Sequence, residues 1–376
     1  MSEKISVCMI IKNEEKFLEN CLSNIQDLAD EIIIVDTGST DKSIEIAKKF
    51  TDKIFNFEWC DDFSKARNFS LEKASGNWIL SLDADEIISK EDRIKLRKIA
   101  ELNEAEGFFL NWRNYTNEAG ILGWISSKND NYSESKIASG FVALKVLRFF
   151  KKGFYFEGKI HETVDNSIKN KGGKIFDTDV VIHHLGGINN NIEKKQGYID
   201  LLKRRLENRD FEEKTEDYIL FEIGNELISL NRHFEAIEYL EKAIEIKSEY
   251  AYVSLLGICY LLDNRLDDGE KMFIRAINLS SLYPPYDYKN PQKFNIYNPS
   301  IYNNLGAIYY KRGLIEKAIK KFEKSIELNP SLPDPYFNLG VIYHDRNNPE
   351  RMRFYFDKSI ELNFNYLDKI RKFLGI

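Results

Sequence analysis

Three carboxylates fall within four residues at Asp83-Ala84-Asp85-Glu86, directly after the apolar run Trp78-Ile79-Leu80-Ser81-Leu82. Like charges packed that closely beside a core repel, and one of them would have to take up a proton. A divalent cation removes the conflict, because hard carboxylate oxygens are natural ligands of Mg2+ or Mn2+. An Asp-x-Asp at the end of a strand therefore suggests a metal that in turn holds an anion such as a phosphate. The same letters also suit a surface loop opening a helix, since Ser89, Glu91 and Asp92 read as a helix start. The neighbours weigh against that plainer reading. Asp36 ends a second apolar run, and in a parallel sheet Asp36 and Asp83 would share the carboxyl edge, where ligands bind. Asp36 could accept hydrogen bonds from a base or a ribose hydroxyl, or equally from its own backbone in the turn before Gly38. Arg67, in Ala66-Arg67-Asn68, adjoins an apolar helix face, from which it could reach a phosphate or pin the carboxylates. Three of the five histidines fall in Gly158-Lys159-Ile160-His161-Glu162 and Ile182-His183-His184-Leu185-Gly186. An imidazole beside two carboxylates would complete a metal site, and a glutamate under a sugar could serve as general base.

The elements that must position these residues alternate over the first third. Apolar runs at 5–11, 31–35, 53–57 and 77–82 read as buried strands, and 14–25, the stretch from Thr40 to about Phe50, and 63–74 read as helices. Such alternation implies a parallel sheet covered on both faces. Further on, a helix is expected over 91–102, strands over 107–115, 141–150 and 174–183, and a helix over 191–209. The stretch 117–139 between them is polar and weakly patterned, as a lid or acceptor loop would be. From about Thr215 the chain repeats. Gly224, Gly257, Gly306 and Gly340 are followed at twelve residues by Ala236, Gly269, Ala318 and Met352, and seven further on by Ala243, Ala276, Ser325 and Ser359. The near-34 spacing is the tetratricopeptide period. One interval is longer, which places an insert near 281–300. The reading is an α/β domain over 1–210, with 191–209 as its linker helix, followed by an all-α tetratricopeptide-repeat domain over 215–376 with about four repeats.

The 376 residues suffice for both domains, and 43% hydrophobic with 30% charged residues is an ordinary globular composition. A net charge of −6 argues against a nucleic-acid polymer or an anionic membrane as the main partner. No apolar run is long enough to span a bilayer. Met1-Ser2-Glu3-Lys4 leads straight into a strand with no signal-peptide pattern. Cys8, Cys21 and Cys259 sit in apolar contexts and read as reduced core residues, which suits the cytoplasm.

The segments Ile5–Glu15, Ile32–Asp41, Ala66–Asn68 and Trp78–Asp85 together resemble glycosyltransferase family 2. Arg148-Phe149-Phe150, Glu157–Glu162 and His184-Leu185-Gly186-Gly187 resemble more closely its bacterial branch fused to tetratricopeptide repeats, which includes the peptide S-glycosyltransferases of bacteriocin pathways. Lipopolysaccharide-core transferases have a similar catalytic half. The last motif usually reads His-Tyr-Gly-Tyr, from which Leu185 and Gly187 depart. The resemblance implies a GT-A fold (Rossmann-like, mainly parallel), a nucleotide-diphosphate sugar donor such as a UDP-sugar, Mn2+ or Mg2+, and inversion at the anomeric carbon. Asp36 would contact the nucleoside, Arg67 the nucleotide sugar, and Asp83 the ribose or the sugar. Asp85 would bind the metal, His184 the metal or the diphosphate, and Glu162 would be the base, with His161 and Lys12 as secondary candidates. The repeats would bind a peptide or protein acceptor or pair two copies as a homodimer. The alternatives are a lipid-linked or lipopolysaccharide acceptor, or a non-catalytic repeat scaffold.

Overall fold

The computed structural model describes residues 3–102, 104–117, 124–128, 130–160, 162–188, 192–211, 214–280 and 299–376. Strands and helices alternate from the start: β1 (Ile5–Ile11), α1 (Leu18–Ile25), β2 (Glu31–Asp36), α2 (Ser43–Ala47), β3 (Ile54–Asn56), α3 (Phe63–Lys73) and β4 (Trp78–Ser81). Next come β5 (Glu86–Ile88), α4 (Lys90–Leu102), β6 (Gly107–Thr116), β7 (Trp124–Ser126), β8 (Gly140–Lys151), α5 (Asp165–Asn170) and β9 (Ile175–His184). Among the described residues these strands form one sheet in the order β3-β2-β1-β4-β8-β6-β9-β5, with β7 on β8.

The pleat sorts the apolar runs between two faces. Val7, Met9, Ile34, Trp78 and Leu80 join α1 and α4 in one core, whereas Cys8, Ile33 and Ile79 join Leu71 of α3 and Ile168 of α5 in the other. Coverage on both faces is what near-continuous apolar strands require. The pairings β1–β2, β1–β4, β2–β3 and β6–β9 are parallel. The strands β8, β5 and β7 run antiparallel to β4, β9 and β8. The sheet is thus mostly parallel, and the mixed part lies beyond β4. The 117–139 stretch is not simply an irregular loop. It carries β7 and a 3-10 turn at Ser133–Ile137, while 118–123 and 129 lie outside the described residues.

By contacts the chain divides into two compact units. The first comprises Met1–Tyr115, Tyr132–Glu134 and Ala143–Asn189, and the second Thr116–Asn131, Ser135–Val142 and Asn190–Ile376. The pattern had attached 191–209 to the first domain, whereas α6 (Ile192–Glu207) packs on α7 (Glu216–Ser229) and belongs to the second unit. Helix pairs follow: α7 with α8 (His233–Ile246), α9 (Tyr250–Leu262) with α10 (Leu266–Ser280), α11 (Pro299–Lys311) with α12 (Ile315–Leu328), and α13 (Pro333–Asp345) with α14 (Pro349–Leu362). Helix α15 (Tyr366–Leu374) closes the series on α14. The repeat glycines mark close crossings. A Cβ on Gly257, Gly306 or Gly340 would enter the ring of Phe273, Phe322 or Phe356 in the partner helix. Most of the insert, 281–298, lies outside the described residues. No helix among the described residues is long and apolar enough to cross a membrane.

Candidate active site

Two loops at the carboxyl edge of the sheet are laced together before any functional group is placed. Asn13 Oδ1, after β1, accepts from the Thr40 amide at 2.7 Å, while Ser39 Oγ accepts from the Asn13 amide and Ser43 Oγ from the Glu14 amide. Asp36, buried at the end of β2, accepts from the backbone of Gly38 at 3.2 Å and Ser39 at 3.1 Å. The turn reading of Asp36 is therefore what the structure shows. Ser39, Thr40 and Ser43, together with Asp41, whose carboxylate accepts from the Glu15 amide at 3.0 Å, tie the two loops.

Helix α3 starts at Asp62, whose side chain accepts from the Lys65 amide. Its buried face is polar, with Ser64, Arg67 and Ser70 beside Ala66 and Leu71. Arg67, 4% exposed, spends its whole guanidinium on the site. Nε donates to Glu162 Oε1 at 2.5 Å, Nη1 to Ser81 Oγ at 3.1 Å and Nη2 to Asp83 Oδ1 at 2.8 Å. The adjacent Asn68 grips the backbone of Phe156 in both directions, at 2.7 and 2.8 Å. Beyond Phe156, reciprocal backbone bonds between Glu157 and Thr163 close the loop that presents Glu162. Ala66-Arg67-Asn68 thus binds the carboxylates with one residue and fixes the loop that carries one of them with the next.

Asp83 is held at both oxygens, by Arg67 and, at 3.3 Å, by Arg148 Nη2. Burial would raise its carboxyl, but the two guanidinium groups outweigh burial and hold it well below the usual carboxylate range. Burial likewise opposes the charge on Arg67, and Asp83 and Glu162 more than offset it. Asp83 is accordingly committed to arginines, which distinguishes it from Asp85. The buried Asp85 carboxylate faces His184 Nε2, 3.2 Å from Oδ2. Burial disfavours the imidazolium, but the Asp85 bond raises the His184 pKa above its ordinary value. Behind the ring, His184 Nδ1 lies 2.9 Å from Asn114 Oδ1, which fixes Nδ1 as the donor and turns Nε2 toward Asp85. A Cβ on Gly186 would collide with Asp85 Oδ2 and His184 Nε2, and one on Gly187 with Asn114 Oδ1. Close approach, rather than a turn conformation, accounts for glycine at both positions.

The remaining carboxylate of the acidic run is Glu86, fully buried. It accepts from the Asp83 amide at 2.8 Å and from the Trp112 indole at 2.6 Å. Burial first, and then the neighbouring Asp83 charge, push it up to about 7. The indole of Trp112 lies against the His184 ring, with centroids 4.7 Å apart. His183 points elsewhere, to Tyr115 Oη at 2.7 Å. Lys12 is exposed in the turn after β1, and His161 lies outside the described residues.

Of the residues expected from sequence, Arg67, Asp83 and Glu162 converge in one network, and Asp85 and His184 in a second that Glu86 joins to Asp83. Among the described residues no group of three or more His, Cys, Asp or Glu side chains is placed to hold a metal ion. Two surface grooves, lined by Lys4, Asp30, Glu31, Phe50 and Lys53 among others, hold none of these residues. The sequence reading gave no role to Glu86, Trp112, Asn114 or Asn68. The clearest missed signal is the third carboxylate of the run, which was read only as part of the charge cluster.

The family model for glycosyl transferase family 2 matches residues 6–181, and tetratricopeptide repeat models match 218–250, 306–346 and 333–366. The SPbeta prophage-derived glycosyltransferase SunS of Bacillus subtilis is 31% identical over 64% of this chain and 53% of its own length. A TPR repeat-containing protein of Synechococcus elongatus is 42% identical over 28% of this chain and 26% of its own. An uncharacterized glycosyltransferase of Rickettsia bellii is 36% identical over 24% of this chain and 31% of its own. The chain therefore spans about half or less of the length of these relatives.

Proposed function

We propose that the chain, whose residues 6–181 match the glycosyl transferase family 2 model ahead of tetratricopeptide repeats, is an inverting glycosyltransferase that moves a sugar from a nucleotide diphosphate, UDP foremost, to a peptide or protein acceptor. The observation that carries this reading is the separation of tasks among the carboxylates. Asp83 and Glu162 are locked to Arg67, whereas the Asp85 carboxylate, among the described residues, faces the His184 imidazole.

A divalent cation fits that second place. An oxygen and a nitrogen ligand stand 3.2 Å apart, with Asn114 behind the imidazole and Gly186, lacking a Cβ, packed close against both. One or two protein ligands suit Mg2+ or Mn2+, which complete their shells with water and substrate phosphates. Asp85 and His184 would hold the ion. Bound there, it would neutralise charge on the departing diphosphate.

The chain's own residues supply the rest. The bond between the anomeric carbon and the diphosphate oxygen breaks, and its electron pair leaves with the nucleotide. The acceptor atom attacks from the opposite face and forms the new bond. Its proton passes to the Glu162 oxygen that is not paired with Arg67. The Arg67 bond orients Glu162 and, through Asp83, links the base to the donor side of the site. Asp36 has lone pairs beyond its turn bonds with which to take a nucleoside hydrogen bond. The repeats present the peptide, as stacked helix pairs with a concave face do. The same surface would otherwise pair two copies, which sizing chromatography separates from acceptor binding.

The test is a donor screen by UDP release, with Mn2+ and a cysteine- and serine-containing peptide. The expected result is release above the hydrolytic background that needs both peptide and metal. Absence of nucleotide release with every donor would overturn the assignment.

A further inference from the structure

We infer that Glu86 is a positioning residue for the Asp85–His184 pair, acting at once through the Asp83–Glu86 turn and through Trp112. The inference rests on the proposed role of that pair in holding a cation with the nucleotide.

Glu86 lies three residues after Asp83, and the two are joined in both directions. The Glu86 amide donates to the Asp83 carbonyl at 3.1 Å, and the Glu86 side chain accepts from the Asp83 amide at 2.8 Å. That double closure sets the turn from which Asp83 faces the arginines and Asp85 faces His184. The other Glu86 oxygen accepts from Trp112 Nε1 at 2.6 Å, and the indole lies against His184 at 4.7 Å. The backbone agrees with the side chains. Glu86 is the ladder partner of His184 across β5–β9, and Asn114 is its partner across β6–β9. His184 is therefore set from three directions, by Asn114 at Nδ1, by Trp112 on its face and by the Glu86 strand beside it.

The pattern also explains why the residue is an acid. Two N–H donors converge on two oxygens in a site with no exposure. An amide side chain has one acceptor oxygen and one NH2 group, so glutamine must oppose a donor with a donor. The strain then falls on either the Asp83 turn or the Trp112 ring, and both lead to the same pair. Supporting residues of this kind typically change metal affinity about 10- to 100-fold.

The experiment measures Mn2+-dependent UDP binding by calorimetry for the full chain, alongside thermal unfolding without metal. Glu86→Gln and Trp112→Phe are each expected to weaken Mn2+-dependent binding about tenfold. In Glu86→Gln/Trp112→Phe the donor conflict is gone, because the amide oxygen can face the Asp83 amide and the NH2 no longer meets an indole N–H. The double variant should therefore bind no worse than either single variant, a coupling that a merely structural loss would not produce. Trp112→Phe keeps a ring against His184 and tests the idea even where Glu86→Gln folds poorly. Unchanged binding in both singles, or losses that multiply in the double, would overturn the inference. Failure of the parent chain to bind UDP with Mn2+ would instead overturn the reading on which it rests, and the inference with it.

Discussion

The two units of this chain solve opposite problems. In the repeats, buried positions hold small or apolar side chains such as Ala236, Ala243, Ala276, Ala318, Phe322 and Ser359, and the glycines lie under rings. In the first unit the core beside the sheet edge contains Arg67, Asp85, Glu86 and Asp92, all buried, alongside Trp78 and Phe149. Burying charge is costly unless each group is paired, and removing one partner of such a set is strongly destabilising. The repeats rest chiefly on packing, with a buried acid such as Asp217 bonded by the Tyr252 hydroxyl, whereas the first unit retains an ionic network that packing does not require. A network retained at that cost is where function should be sought.

Substitutions can break this contrast, beginning with the largest expected effect. Glu162→Gln should lower turnover about 10^2- to 10^4-fold with an oxygen acceptor. It should lower turnover less with a thiol, which is partly ionised near neutral pH. Steady-state rates with matched serine and cysteine peptides check this, and equal losses on the two acceptors would remove the base role. In the repeats, Phe322→Ala should cost about 3–5 kcal/mol by denaturant unfolding yet leave Mn2+-dependent UDP binding unchanged. Loss of nucleotide binding there would mean the two units are not separate in function.

A third prediction concerns acid. Glu31 accepts from Ser6, Lys53, Ser75 and Gly76. Burial opposes its charge, but these bonds take its carboxyl down to about 2. A carboxyl lowered on folding stabilises above its unfolded value near 4.5 and loses that contribution as pH falls toward 2. Glu31→Gln should therefore cost about 2 kcal/mol at neutral pH and flatten the acid limb of stability between those values. A parallel acid limb in both proteins would refute it. At the small end, the exposed pair Arg353–Asp357 should contribute about 0–0.5 kcal/mol, and Arg353→Ala should leave the unfolding midpoint nearly unmoved.

Sequence pattern revealed these regions unevenly, for physical reasons. The repeats were legible from their period, because small residues at fixed spacing, such as Gly257, Gly306 and Gly340, are a direct consequence of close helix crossing. The strands β1, β2 and β4 were legible as apolar runs. Strand β5 was not, since three residues after an acidic run look like the start of a helix, and its partner β9 lies about a hundred residues away. The antiparallel entry of β8 against β4 was also hidden, because apolar alternation carries no strand direction. In the site, Arg67 was legible because it adjoins apolar helix positions, although the buried face of α3 is itself largely polar. Glu86 and Trp112 were missed because their bond joins two elements that periodicity treats separately.

The central claim is that Asp85 and His184 hold a cation with a nucleotide while Arg67 keeps Asp83 and Glu162 apart from that task. Calorimetric titration of UDP into the parent chain and into Asp85→Asn, each with and without Mn2+, tests it most directly. The account predicts binding in the parent only when Mn2+ is present, and none in Asp85→Asn under either condition. UDP binding of equal strength without metal, or undiminished in Asp85→Asn, would contradict it.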